Sequence, residues 1–141
     1  MSAVNTIEGG CLCGNIRFST TKDPSYQLLC YCTDCQVISG AASFAAYGVP
    51  IESIALLKGE PKIFELAADS GRINARRFCP NCGSRIWAQI DELGLASINA
   101  LALDDRTHFK PASNHCPESA PGWCEVDGNL EYFGRIPRES S

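Results

Sequence analysis

The chain has 141 residues, 45% of them hydrophobic and 20% charged, with a net charge of −4. That length fits a single domain (1–141, core about 9–133) able to bury a core without disulfide staples. No apolar run approaches the roughly 18 residues of a membrane span. Basic residues are scattered, with only RINARR (72–77) mildly clustered, so neither a membrane nor a nucleic acid is an expected partner. The first ten residues, MSAVNTIEGG, show no basic or apolar leader, which predicts a cytoplasmic location.

In chain order the pattern is one of short strands between turns. NIRFS (15–19) alternates, with Ile16 and Phe18 on one face. YQLL (26–29) runs into a cysteine cluster. ASFAAYGV (42–49) reads as a strand stopped by Pro50. SIALLKG and KIFEL are two further strands separated by the turn signal GEP. DSG (69–71) marks a hairpin turn returning as RINARRF, where Ile73 and Ala75 alternate. SRIWAQI (84–90) and LASINALAL (95–103) follow as strands. Residues 104–123 read as turns, and LEYF (130–133) as a last strand. No window of a dozen residues carries a 3.6-residue apolar period, so the predicted fold is mainly β.

Nine cysteines are far above average usage and odd in number, so complete internal pairing is impossible. Without a secretory signal, closely spaced cysteines read as metal ligands or reactive thiols. They fall into CLC (Cys11, Cys13), CYCTDC (Cys30, Cys32, Cys35), CPNC (Cys79, Cys82) and the separate Cys116 and Cys124. A CxxC followed by glycine makes a tight turn that aims both sulfurs at one point, with Gly83 and Gly14 where positive φ is needed. Two groupings compete. In one, CLC and CPNC close a four-cysteine site and CYCTDC is left as a three-thiolate site. In the other, CYCTDC recruits a sulfur from elsewhere and one pair stays incomplete. The first is preferred because it uses every clustered cysteine. Catalytic zinc characteristically keeps three protein ligands and one exchangeable position, which favours an open site at Cys30, Cys32 and Cys35.

GGCLCGNIRF, CYCTDCQVISG and FCPNCGSRIW, in that order and spacing, resemble the glutathione-dependent formaldehyde-activating family, a domain also found in centromere protein V. HCPESAPGW (115–123) is similar to that family's C-terminal His-to-Trp segment. The resemblance implies an Mss4-like complex fold of several small antiparallel sheets around a structural zinc. It implies that Cys11, Cys13, Cys79 and Cys82 hold that zinc and that Cys30, Cys32 and Cys35 hold a second, exchangeable one. Two positions depart from the family pattern: Tyr31 stands where His is frequent, and Gln36 where a basic residue is frequent.

An open zinc can take a substrate thiol and ionise it near pH 7. The expected enzyme is therefore a carbon–sulfur lyase or synthase joining a thiol such as glutathione to a small, formaldehyde-like aldehyde. Its catalytic residues are Cys30, Cys32 and Cys35, with Tyr31 and Gln36 as substrate contacts and two Zn²⁺ per chain. The partners are a small-molecule thiol and an aldehyde, and the chain is a monomer or homodimer. The alternative is a non-catalytic, zinc-stabilised binding module in which both ions are staples. Asp34 reads as a turn cap, Arg76 and Arg77 as a solvated strand face, and His108 and His115 as structural hydrogen-bonders. Cys116 and Cys124 read as small buried hydrophobes.

Overall fold

The computed structural model of the protein describes residues 5–68 and 70–133; Asp69 of the expected DSG turn and the two ends of the 1–141 domain lie outside them. Two sheets carry the fold. The smaller is antiparallel and joins β1 (Thr6–Gly10), β2 (Arg17–Thr21) and β5 (Ala55–Lys58) in the order β1-β2-β5. The larger contains β3 (Tyr26–Cys30), β4 (Phe44–Pro50), β6 (Lys62–Ala67), β7 (Ile73–Phe78), β8 (Arg85–Ile90), β9 (Leu95–Asn99), β10 (Ser113–His115) and β11 (Glu131–Phe133). Its order is β11-β10-β3-β4-β9-β8-β7-β6. From β3 through β6 neighbours run antiparallel, whereas β10 lies parallel to both β3 and β11.

The mainly β expectation holds, with informative differences in detail. LASINALAL is not one strand. The Asn99 side chain accepts a hydrogen bond from the Leu101 amide and caps a 3-10 turn (Ala100–Ala102), which ends β9. The turn-like 104–123 stretch contains β10, only three residues long and too short for a visible alternation. GEP does not close a hairpin: the strands on either side of it belong to different sheets, so the chain crosses over at Gly59 (φ 80°).

One helix, α1 (Thr33–Ser39), follows β3 directly. Cys32 is its N-cap, accepting from the Cys35 amide at 3.3 Å, and Gly40 closes it in the left-handed region (φ 70°). Seven residues are fewer than two turns, which leaves no room for a periodic apolar face.

The sheets pack through one face of each. Phe18 is fully buried and meets Trp87 edge-on at 6.3 Å between ring centroids. Tyr47 and Ile98, also fully buried, stand beside Trp87 across the large sheet, because Tyr47↔Ile98 and Ile98↔Trp87 are direct register partners. Each such side chain contributes on the order of 1.5–3 kcal/mol by leaving water. The Tyr47 hydroxyl donates to the Thr21 carbonyl at 3.0 Å, so its polar end is satisfied. Because side chains alternate along a strand, the residues between these core positions face the other way. That opposite face carries the candidate site.

Candidate metal centre and cavity

Two turns of the same design bring four cysteines together. The Cys11 amide bonds the Ile16 carbonyl at 3.1 Å, and the Cys79 amide bonds the Ser84 carbonyl at 2.9 Å. Gly14 (φ 83°) and Gly83 (φ 80°) take the left-handed conformation that turns each chain back. Amides then point at the sulfurs: Ile16 N–H at Cys11 Sγ (3.2 Å) and Asn81 N–H at Cys79 Sγ (3.4 Å). The Ser84 hydroxyl and amide hold the Cys82 thiol down at about 5, and the Asn81 side chain lowers Cys13. All four sulfurs lie within 4.8 Å of one another, with Cys11–Cys13 at 3.6 Å and Cys13–Cys79 at 3.7 Å. Tetrahedral zinc thiolates at about 2.3 Å set their sulfurs roughly 3.8 Å apart, so this group fits such an ion.

The second group is built differently. Cys30 ends β3, Cys32 caps α1 and Cys35 lies in its first turn, so a strand end and a helix start aim three sulfurs inward. These sulfurs also lie within 4.8 Å of one another. Three thiols this close share a negative charge unevenly. Hydrogen bonds from Cys30 and Cys35 hold Cys32 far below the ordinary thiol value, while Cys32 pushes Cys30 up to about 12. Soft, crowded sulfur donors are the chemistry that a zinc-like cation satisfies. Among the described residues no fifth Cys, His or carboxylate joins the first group and no fourth joins the second.

The three-sulfur group opens on a cavity of about 500 Å³ lined by Cys30 and Cys35. Strand alternation explains its walls. From β3 come Tyr26, Leu28 and Cys30, from β7 Asn74 and Arg76, and from β10 Ser113 and His115. Tyr26 lies flat across the strand position of Gly48, where a Cβ would fall 2.3 Å from its ring, and its hydroxyl reaches Ser97. Glycine is required there to keep the cavity floor flat.

His115 is in direct register with Cys30, and its carbonyl accepts from the Tyr31 amide at 2.8 Å. Burial lowers its imidazole pKa, with the Cys32 charge acting in the opposite direction. Reading it as only a structural hydrogen-bonder missed its place on the cavity wall; the HCPESAPGW segment was the signal that marked it. His108 sits apart, 4.0 Å from Asp105.

The arginine expectation needs correction. Arg76 is 7% exposed and lines the cavity, so it is not on a solvated face. Arg77 also lines the cavity and lies half-buried with its guanidinium over the Trp87 ring at 5.6 Å. Arg85 donates to the Ile38 carbonyl at 2.9 Å and lies over Phe78.

Tyr31 and Gln36 flank the sulfurs without lining the cavity. Tyr31 is 4% exposed, and the Gln36 amide donates to the Tyr31 carbonyl (2.7 Å) and the Ser119 carbonyl (2.9 Å). Asp34 is exposed in the first turn of α1. Cys116 is buried and Cys124 half-buried, and neither joins a sulfur group.

Residues 6–118 match the family model described as glutathione-dependent formaldehyde-activating enzyme. The chain belongs to that family. A relative from Halomonas elongata, named "Putative glutathione-dependent formaldehyde-activating enzyme", is 25% identical over 143 residues, covering 95% of this chain and 90% of the relative. A crystal structure of a Rhodobacter sphaeroides protein superposes with a TM-score of 0.58 at 16% identity, over 70% of this chain and 88% of that one. That likeness concerns the fold alone. Both cysteine groups that could hold a metal ion lie within the matched residues. Among the described residues, no helix is long and apolar enough to cross a membrane.

Proposed function

We propose that this member of the family is a zinc enzyme that joins a thiol such as glutathione to an aldehyde, or cleaves the product. Cys11, Cys13, Cys79 and Cys82 hold a structural zinc; Cys30, Cys32 and Cys35 hold a second, exchangeable one. The observation that carries the reading is the three-sulfur group, which has no fourth ligand among the described residues and faces a 500 Å³ cavity. Zinc bound there would supply an exchangeable coordination position and lower the pKa of an incoming thiol.

In the reaction a carbon–sulfur bond forms between thiol and carbonyl carbon, the C=O π bond breaks, and the thiol proton ends on the new hydroxyl. His115, in register with Cys30 and on the cavity wall, is the group we assign to carry that proton. The apolar walls exclude water from the carbonyl, which otherwise competes by hydration. The Gln36 amide holds α1 against the Tyr31 and Ser119 carbonyls and so fixes Cys35 relative to Cys30. Gln36 thereby acts through the geometry of the sulfurs.

The test is metal stoichiometry with thiol titration. Reconstituted wild type should hold two zinc ions, and Cys32→Ala one. Glutathione should bind wild type alone and form adduct faster than the uncatalysed background. Two ions that both resist exchange, with no thiol bound, would leave the chain a metal-stapled scaffold and end the enzyme reading.

A further inference from the structure

Charge decides what the three-sulfur group can accept. Three thiolates on one divalent cation leave a single negative charge, and a substrate thiolate joining them doubles it. Cys30 is buried, Cys32 and Cys35 are half-buried, and Leu28, Ile38 and Phe44 stand among the walls of the cavity that Cys30 and Cys35 line. Negative charge gathered in such surroundings is costly unless a cation faces it.

Besides the sulfurs, the charged and basic side chains lining the cavity are Arg76, Arg77, Arg85, His115 and Glu131. Glu131 has the sulfurs' own sign and stands exposed on the edge strand β11. Burial favours the neutral form of the His115 imidazole. Arg85 donates to the Ile38 carbonyl at 2.9 Å and lies over Phe78, and Arg77 donates to the Ala75 carbonyl at 3.0 Å and lies over Trp87. Arg76 is 7% exposed, its register partners in the sheet are the uncharged Ala88 and Phe64, and its charge acts on Cys32. A guanidinium stays protonated across the working pH range, so this cation is permanent.

We propose that Arg76 is a positioning residue that holds the incoming thiol as a thiolate at the three-sulfur group, by facing the second negative charge that its arrival creates. This rests on the thiol-binding reading above and adds the residue that lets an already anionic site accept another anion. The group recognised is the sulfur itself, so the effect extends to thiols that carry no carboxylate.

Cobalt exchanged into the second site of the zinc-reconstituted protein reports each added ligand through its absorption spectrum. The probes are 2-mercaptoethanol, whose bound form is an anion without a carboxylate, glutathione, and imidazole as a neutral donor. Arg76→Met should weaken 2-mercaptoethanol at least about tenfold and imidazole by less than about twofold. Arg76→Lys should recover most of the thiol affinity. The cobalt spectrum before any ligand is added should be the same in all the proteins, which shows the sulfur group intact; Arg76→Gln serves if Arg76→Met does not fold. Unchanged 2-mercaptoethanol affinity in the neutral variant would overturn the inference, as would an equal loss for imidazole or a lysine variant as weak as the neutral one. A loss seen with glutathione and not with 2-mercaptoethanol would move Arg76 to a substrate carboxylate and overturn it too. Each of these results leaves thiol binding by wild type, and with it the proposed function, standing. A wild type whose second site takes up no thiol ends the proposed function and this inference together.

Discussion

Removing the second cysteine turn, with Cys79→Ser and Cys82→Ser together, should destabilise the protein far more than Cys35→Ser. The sulfurs of Cys13 and Cys79 are 3.7 Å apart yet 66 positions apart in sequence. A cross-link that closes a loop of about that length restricts the unfolded chain by about 4 kcal/mol. The Cys30–Cys35 group closes a loop of roughly five residues, for which the same relation gives about 2 kcal/mol at most. For a chain of this size about 4 °C of Tm accompanies each kcal/mol. Loss of the turn should therefore lower Tm by about 15 °C, and Cys35→Ser by no more than about 8 °C. Thermal unfolding of zinc-reconstituted proteins, followed by circular dichroism with metal content measured in parallel, reads both values. Equal shifts in the two variants would refute the division into a structural and an exchangeable site. A double variant melting within a few degrees of wild type would refute the cross-link argument itself.

Three further outcomes follow from individual contacts. Gln36→Leu leaves the Tyr31 and Ser119 carbonyls without their donor and should cost about 1–2 kcal/mol in urea unfolding; KM for the thiol should stay unchanged, whereas a direct substrate contact would raise it. His115→Gln should lower kcat by about 100-fold at unchanged zinc content, and a rate within threefold of wild type would remove His115 from proton transfer. The Arg17 guanidinium beside Asp104 holds that carboxyl below its ordinary value. A carboxyl depressed in the folded state stabilises above its unfolded pKa and loses that contribution as pH falls through the folded one. Stability should accordingly decline below about pH 4 and Asp104→Asn should flatten that decline. The effect is only about 0.5 kcal/mol because the pair is half-exposed to solvent; an unchanged acid limb in the variant would show that the pair contributes nothing.

Sequence periodicity reported the strands well where they were long enough to alternate. Ile16 and Phe18 flank Arg17 at the start of β2 and are both buried, as NIRFS implied. What escaped were elements below the length at which a period can register: β10 at three residues and α1 at seven. For α1 a different signal was present. Thr33 and Gln36 have the spacing of a capping box, and Gly40 sits where a helix terminates, one residue away from the true cap at Cys32. The dense cysteine spacing drew the reading toward a metal turn, and the same residues turn out to be both helix cap and sulfur group.

The cavity was harder to read because its residues come from strands that are distant in sequence and adjacent only in the sheet. RINARRF looked like a charged, solvated strand, since two adjacent arginines cannot both face a core. Alternation separates them: Arg76 turns toward the cavity with Asn74, and Arg77, which also lines it, lies over the Trp87 indole. Neither direction was legible until β7 had a neighbour on each side, because a strand's polar face is solvated only if nothing covers it. Here β6 and β8 flank it while Leu28 and Phe44 reach the same cavity from β3 and β4. The sulfurs of CYCTDC and the Arg76 guanidinium therefore belong to one space, and the charge that Arg76 faces there is that of Cys32.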